Sequence, residues 1–206
     1  MEYWNNKYSG KGKIWGTKPS KTAIHALNLF KKYDILKILI PGAGYGRHTR
    51  LFSKNNYDVT GIEISESALE IAKGFDSKSK LILGSVLDMP FNGEMYDAIF
   101  CYNLLHLLLR NERLLFIEKC YNQLKDKGFA FFSVFSEQEE SYGQGAKIEE
   151  NTFESKSYRP AHYFSEQDLL EHFNKFTLIE TGIIEEIDTH DVPHTHRLRY
   201  IFAKKE

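Results

Sequence analysis

Three glycines at alternate positions, Gly42, Gly44 and Gly46, end the apolar run Ile38-Leu39-Ile40-Pro41. Glycine permits positive φ and lets a backbone approach a ligand closely. Polar and apolar residues at helical spacing follow from Arg47 to Phe52. The pattern predicts a buried parallel strand, a tight loop and a helix beginning near Gly46. The first N–H groups of such a helix are unpaired and partly positive, which suits an anion. Glu63 closes the next strand pattern, Asn56 to Ile62, and stands 21 positions after Gly42. A carboxylate about 20 residues past a glycine loop is where doubly wound folds grip a ribose. Being acceptor-only, it suits two vicinal hydroxyl donors. Loop, helix, strand and acid together point to a nucleoside-containing ligand. An ordinary crossover with turn glycines would leave the placement of Glu63 unexplained.

The elements that must position these groups follow from periodicity. Ser20 to about Lys32 is a helix with Ser20 as N-cap. A second helix opens at Ser65 and is expected to stop at Gly74. Leu81–Gly84 is a short third strand, after which comes Asp88. Tyr96–Tyr102 is a fourth strand, followed by an amphipathic helix from Asn111 to Leu124 and a fifth strand over Gly128–Phe135. Ser165 and Asp168 match a capping pattern for a further helix, and Thr177–Ile187 and Arg197–Lys204 read as two last strands. Ligands of open α/β sheets sit outside the carboxyl ends of the strands. Tyr102, Asn103 and His106, at the end of the fourth strand, are therefore placed at the site. A histidine titrates near working pH and His106 is a candidate base, although a histidine in an apolar run also serves as a plain structural group.

Two stretches break the rhythm. Residues 136–163 are long and polar, and are expected to form a lid loop inserted into the domain. Tyr142, Glu149, Arg159 and His162 are its candidates for touching substrate, with Phe153, Tyr158 and Tyr163 as anchors. Asp188 to His196 holds three histidines and two acids within nine residues. Imidazole and carboxylate ligate zinc or non-haem iron. The spacing is not a helical His-x3-His, however, and Pro193 forbids that helix, so no metal ligands are assigned. His194 and His196 join His106 as candidates for substrate binding or proton removal.

Composition narrows the classes. With 206 residues, 42% hydrophobic and 27% charged, the chain is expected to fold as one domain around a sizeable core. A net charge of −1 offers no basic field for nucleic acid or an anionic membrane. The two cysteines, Cys101 and Cys120, lack metal-type spacing and fit a reducing cytoplasm. No leader or membrane-spanning pattern is evident, so a cytoplasmic location is expected, as a monomer or homodimer. Residues 1–20 are rich in aromatics (Tyr3, Trp4, Tyr8, Trp15), unlike a disordered tail, and are expected to dock on the body as part of a cap over 1–34.

The compressed Gly-x-Gly-x-Gly loop, with Arg47 where a dinucleotide fold would place its third glycine, resembles motif I of the class I S-adenosylmethionine-dependent methyltransferases. Trp4-x3-Tyr8 and Trp15-Gly16-x2-Pro19-Ser20 resemble the N-terminal cap of their small-molecule branch, the tellurite-resistance and thiopurine type. The resemblance implies a Rossmann-like α/β fold, doubly wound, with a seven-stranded mostly parallel sheet, a terminal antiparallel strand and helices on both faces. It implies S-adenosyl-L-methionine as cofactor. Gly42, Ala43 and Gly44 would wrap its methionyl part, Glu63 and Ile64 its ribose and purine, and Asp88 and Met89 its adenine. Trp15 and Tyr102 would lie near the sulfonium, a cation that aromatic faces attract. Enzymes that methylate exocyclic amines of bases usually carry an Asn/Asp-Pro-Pro-aromatic run after the fourth strand, where this chain has Tyr102-Asn103-Leu104-Leu105. Cytosine-C5 enzymes use a Pro-Cys there, and Cys101 lacks that proline. The implied acceptor is thus a small-molecule thiol, chalcogen, amine or hydroxyl. A nicotinamide oxidoreductase and a non-catalytic binder of the cofactor or its product remain as alternatives.

Overall fold

The computed structural model describes residues 2–91, 93–155, 159–188 and 194–206. In chain order its helices are α1 (Glu2–Lys11), α2 (Lys21–Phe30), α3 (Arg47–Lys54), α4 (Glu66–Phe75), α5 (Arg110–Gln123) and α6 (Glu166–His172). Its strands are β1 (Lys37–Pro41), β2 (Asp58–Glu63), β3 (Lys80–Leu83), β4 (Tyr96–Tyr102), β5 (Leu124–Phe135), β6 (Lys147–Glu149), β7 (Thr152–Glu154), β8 (Pro160–His162), β9 (Phe176–Asp188) and β10 (His194–Lys205). The main sheet has seven strands in the order β3-β2-β1-β4-β5-β10-β9. The first five run parallel, and β10 is antiparallel to both its neighbours. Sequence order reverses between β1 and β4, the switch point where such sheets open a crevice.

Strand alternation divides the core in two. Ile38, Ile40, Phe100, Phe131 and Phe202 face Ala26, Phe30 and Phe52 of α2 and α3. The intervening residues Leu39, Ile99, Cys101, Phe132 and Ile201 face Phe116 and Cys120 of α5, Leu169 of α6 and Phe173 just past its end. Successive side chains on a strand point to opposite faces, so an apolar run buried on both sides requires helices on both sides. The expected doubly wound sheet is therefore the one observed. Among the described residues no helix is long and apolar enough to cross a membrane.

Three expectations need correction. Gly74 does not stop its helix: α4 continues to Phe75, because nothing crowds the position and Asp76 N–H still bonds to Ala72 O at 2.7 Å. The fifth strand begins at Leu124 rather than Gly128. Residues 136–163 are not a bare loop, since β6, β7 and β8 pair into a small antiparallel sheet of their own. Tyr158, expected as an anchor there, lies outside the described residues, as do His190, Asp191 and Pro193 of the late histidine-rich segment.

The small sheet is tied down by polar contacts. Ser165 caps α6 as expected, its hydroxyl accepting from Asp168 N–H at 3.1 Å. The Asp168 carboxylate turns away instead of completing a capping box. It takes the Nε2–H of buried His162 at 2.6 Å and lies 3.2 Å from His172 Nδ1. Thr152 on β7 donates to His162 Nδ1 at 2.8 Å. Burial works to raise the Asp168 pKa, but the two imidazole hydrogen bonds outweigh it and hold the carboxyl below its usual range. The stabilisation is therefore present above the unfolded value, about 3.9, and is lost as pH falls below it. Asp168→Asn is expected to lower unfolding free energy by about 1–3 kcal/mol at pH 7. Urea titrations at pH 7 and pH 3 check this, with the difference between variant and wild type shrinking at pH 3.

Candidate active site

At the carboxyl end of β1 the chain turns through Gly42, Gly44 and Gly46 at φ of +70°, +57° and +85°. Side-chain-bearing residues rarely adopt such angles, which is why the loop alternates glycine. Space is also tight. A Cβ on Gly42 would meet Leu104 Cδ1 at 3.2 Å, and one on Gly44 would meet the Tyr8 hydroxyl at 3.2 Å. Ala43 N–H bonds to Ile62 O at 2.9 Å, seating the loop against β2.

Glu63 closes the loop from the neighbouring strand. Its Oε2 accepts from Gly44 N–H at 2.8 Å and its Oε1 from Ser65 N–H at 2.8 Å. The side chain is buried, which raises its pKa despite the backbone donors that work to lower it. One strand further out, Gly84 N–H bonds to Glu63 O at 2.9 Å, linking the ends of β2 and β3. Beyond it a single 3-10 turn, Val86–Asp88, leaves the Asp88 carboxylate exposed. Ile64 is half-buried between them. Met89 goes elsewhere: its side chain is fully buried in the core, and its carbonyl accepts from Lys119 Nζ at 2.6 Å.

The aromatic N-terminus folds over this edge as α1. Tyr8 and Tyr45 are buried, and Trp4 and Trp15 pack against them. Trp15 stacks on Tyr45 at 6.3 Å and 15°. The Tyr45 hydroxyl donates to Gly16 O at 2.7 Å, and Arg47 Nη1 donates to Trp15 O at 3.1 Å. Asn5 Oδ1 accepts from the Ser65 hydroxyl at 2.8 Å, docking α1 on the start of α4. Cations already sit on these rings, with the Arg159 guanidinium 4.0 Å from the Tyr3 centroid and Lys7 Nζ 5.2 Å from that of Trp15.

At the end of β4, Tyr102 stands edge-on to His48 at 4.7 Å. Burial pushes its hydroxyl up to about 12. Asn103 takes positive φ, and its Oδ1 accepts from the Ser133 hydroxyl at 3.1 Å. His106 is buried and stacks on Phe135 at 3.9 Å. Burial keeps its pKa well below the ordinary histidine value. Its Nδ1 makes no hydrogen bond. Phe135 also carries His196 at 5.2 Å, which brings the three histidine candidates to one edge, since His194 Nε2 is 3.0 Å from His196 Nε2.

Of the four lid candidates, only Arg159 joins the aromatic cluster. Glu149 accepts from Arg110 N–H at 2.9 Å and serves the start of α5. His162 is held by Thr152 and Asp168, and the Tyr142 hydroxyl donates to Asn151. The sequence reading missed Gly61 and Gly84. A Cβ on Gly61 would meet Ala43 Cβ at 2.8 Å, and one on Gly84 would lie 2.2 Å from the Phe91 ring. A glycine inside a strand pattern is the signal for such close approach.

Residues 39–132 match the family described as a methyltransferase domain. No curated protein matches the chain. Many solved structures share its fold, among them the following three. A SAM-dependent methyltransferase from Methanosarcina mazei is 20% identical over 84% of this chain and 93% of its own, with a TM-score of 0.73. TehB from Haemophilus influenzae is 16% identical over 98% and 67%, with a TM-score of 0.71. The 1,6-didemethyltoxoflavin-N1-methyltransferase of Burkholderia thailandensis, with 1,6-didemethyltoxoflavin and S-adenosylhomocysteine bound, is 18% identical over 99% and 86%, with a TM-score of 0.72.

Gly44→Ala is expected to cost about 1–3 kcal/mol, because it combines a strained φ with crowding against Tyr8. The same change should lift α1 and red-shift tryptophan emission from Trp4 and Trp15. Fluorescence-monitored urea unfolding measures both.

Proposed function

We propose that this chain, an enzyme that carries a methyltransferase domain over residues 39–132, moves the methyl group of S-adenosylmethionine onto a nucleophilic atom of a small molecule. The observation that carries the reading is the Gly44–Glu63 contact at 2.8 Å, which sets a buried carboxylate beside a glycine loop at the switch point. An ionised carboxylate has about four acceptor sites, so Glu63 keeps capacity for two ribose hydroxyls after its two backbone bonds. Asp88, on the adjacent strand end, would accept from the adenine amine, and Ile64 would flank the ring. Gly42, Ala43 and Gly44 would run along the methionyl part, with the start of α3 beyond them. Trp15 and Tyr102 lie on the sulfonium side. The donor set and the glycine cradle thus fit the cofactor, whereas the core position of the Met89 side chain leaves only its backbone for the adenine.

Bound there, the sulfonium supplies an activated methyl group. Gly42, Ala43, Gly44, Glu63 and Asp88 would hold the cofactor so that this methyl group, whose neutral thioether is the leaving group, lies open to the acceptor's nucleophile. Orientation and exclusion of water are what the protein must add, and α1 with the β6–β8 sheet supplies the cover. His106, at the end of β4, is the candidate to take a proton when the acceptor arrives protonated. A small acceptor fits the net charge of −1, which offers no field for a polyanion. Two buried free thiols, Cys101 and Cys120, fit a cytoplasmic setting.

Calorimetric titration with S-adenosylhomocysteine and, in parallel, NADH tests this reading on wild type and Glu63→Ala. Micromolar binding of the homocysteine nucleoside, weakened more than tenfold in the variant, is expected. Binding of NADH in its place, or of neither ligand, would overturn it.

A further inference from the structure

The β9–β10 hairpin carries a second constellation, separate from the loop and its acid. Register pairs His194 with Asp188 and His196 with Glu186. Residues two apart on a strand share a face, and a directly opposed partner shares it too. Asp188, His194 and His196 therefore converge, and one ligand atom from each lies within 4.8 Å of the others. The two Nε2 atoms are 3.0 Å apart, and His196 Nε2 is 4.0 Å from Asp188 Oδ2. Two imidazoles on one tetrahedral zinc, each about 2.0–2.1 Å from it, place their nitrogens about 3.3 Å apart.

A histidine pair could be held by a shared proton alone. What points beyond that is the shell behind it. His196 Nδ1 is 3.1 Å from Oε2 of Glu139, a buried carboxylate whose Oε1 accepts from Arg197 N–H at 2.7 Å. A carboxylate is acceptor-only, so His196 must carry its proton on Nδ1. The other ring nitrogen, Nε2, is then turned toward His194 and Asp188. Stacking on Phe135 at 20° fixes the ring plane. A carboxylate behind an imidazole, orienting it and raising its basicity, is the recurring outer shell of metal-bound histidine.

We propose that Asp188, His194 and His196 bind a divalent transition ion of the zinc class, with Glu139 as the positioning residue for His196. Two nitrogens and one oxygen suit such an ion better than magnesium or calcium, which take oxygen ligands. Three protein ligands leave a coordination position for water or a donor atom of another molecule, the arrangement of catalytic rather than structural zinc sites. Phe135 is shared by His196 and His106, so the cluster lies at the edge where the acceptor is expected. The site itself stands without the methyl-transfer reading.

The test is titration of the metal-stripped full chain with zinc ions by calorimetry, and with cobalt(II) by visible absorption. One equivalent should bind at micromolar or tighter affinity, with the intense d–d bands of a four- or five-coordinate cobalt ion. His194→Ala and His196→Ala should each weaken binding more than 100-fold, and Glu139→Gln about 10–100-fold. Because His194 is exposed, its variant should fold even where His196→Ala does not, and circular dichroism of the metal-free proteins checks that. Equal binding by wild type and by the His194→Ala/His196→Ala double variant, or no saturable binding by wild type, would overturn the proposal. Titration of the same samples with S-adenosylhomocysteine keeps failure of the metal site distinct from failure of the cofactor site.

Discussion

The contact on which the rest depends is the carboxylate of Glu63 bridging two backbone N–H groups, Gly44 on one side and Ser65 on the other. It couples two βα turns, alongside the bond from Ala43 N–H to Ile62 O. Burying a carboxylate is costly, and the raised pKa of Glu63 records that cost. Hydrogen bonds to a charged group contribute about 1.5–3 kcal/mol each, enough for two of them to keep such a group in place. The loop is tied down by these bonds without any ligand, and preorganisation of that kind lowers the entropy lost on binding.

The sheet makes this contact possible. Glu63 reaches Gly44 only because β2 is in register with β1, Pro41 opposite Ile62, so the two strands end together. Close approach then needs small residues on both sides, supplied by Ala43 against Gly61. The apolar sides of β1, β4 and β5 hold that register through two separate cores. Stability and site geometry thus come from the same alternating residues.

Much of this was legible in the sequence because it is local. Glycine spacing, the acid 21 positions on and the caps at Ser20 and Ser65 are each decided within one βα unit. What was not legible depends on distant partners. Nothing near Glu149 says that it will serve the start of α5. Nothing near Asp168 says that two histidines will draw it away from its own helix end. Met89 reads as an apolar residue beside a purine site, yet the core behind β4 claims its side chain. The small β6–β8 sheet was missed because its strands are three residues each, too short for periodicity to register.

The late histidines show the same limit from the other direction. As a linear string they have no metal spacing, and a helix is excluded by Pro193. Their grouping comes from topology: β10 is antiparallel to β5, with Leu198 opposite Phe135, so β10 must begin where β5 ends. Every parallel strand of the sheet ends at that same edge. The hairpin that completes the sheet therefore delivers Asp188, His194 and His196 to the rim of the crevice rather than to its far side, and Glu139, just past the end of β5, is placed to meet them. Antiparallel closure of a parallel sheet thus builds a second cluster beside the first. A sequence pattern could not show it, because the spacing that matters runs across strands and not along them.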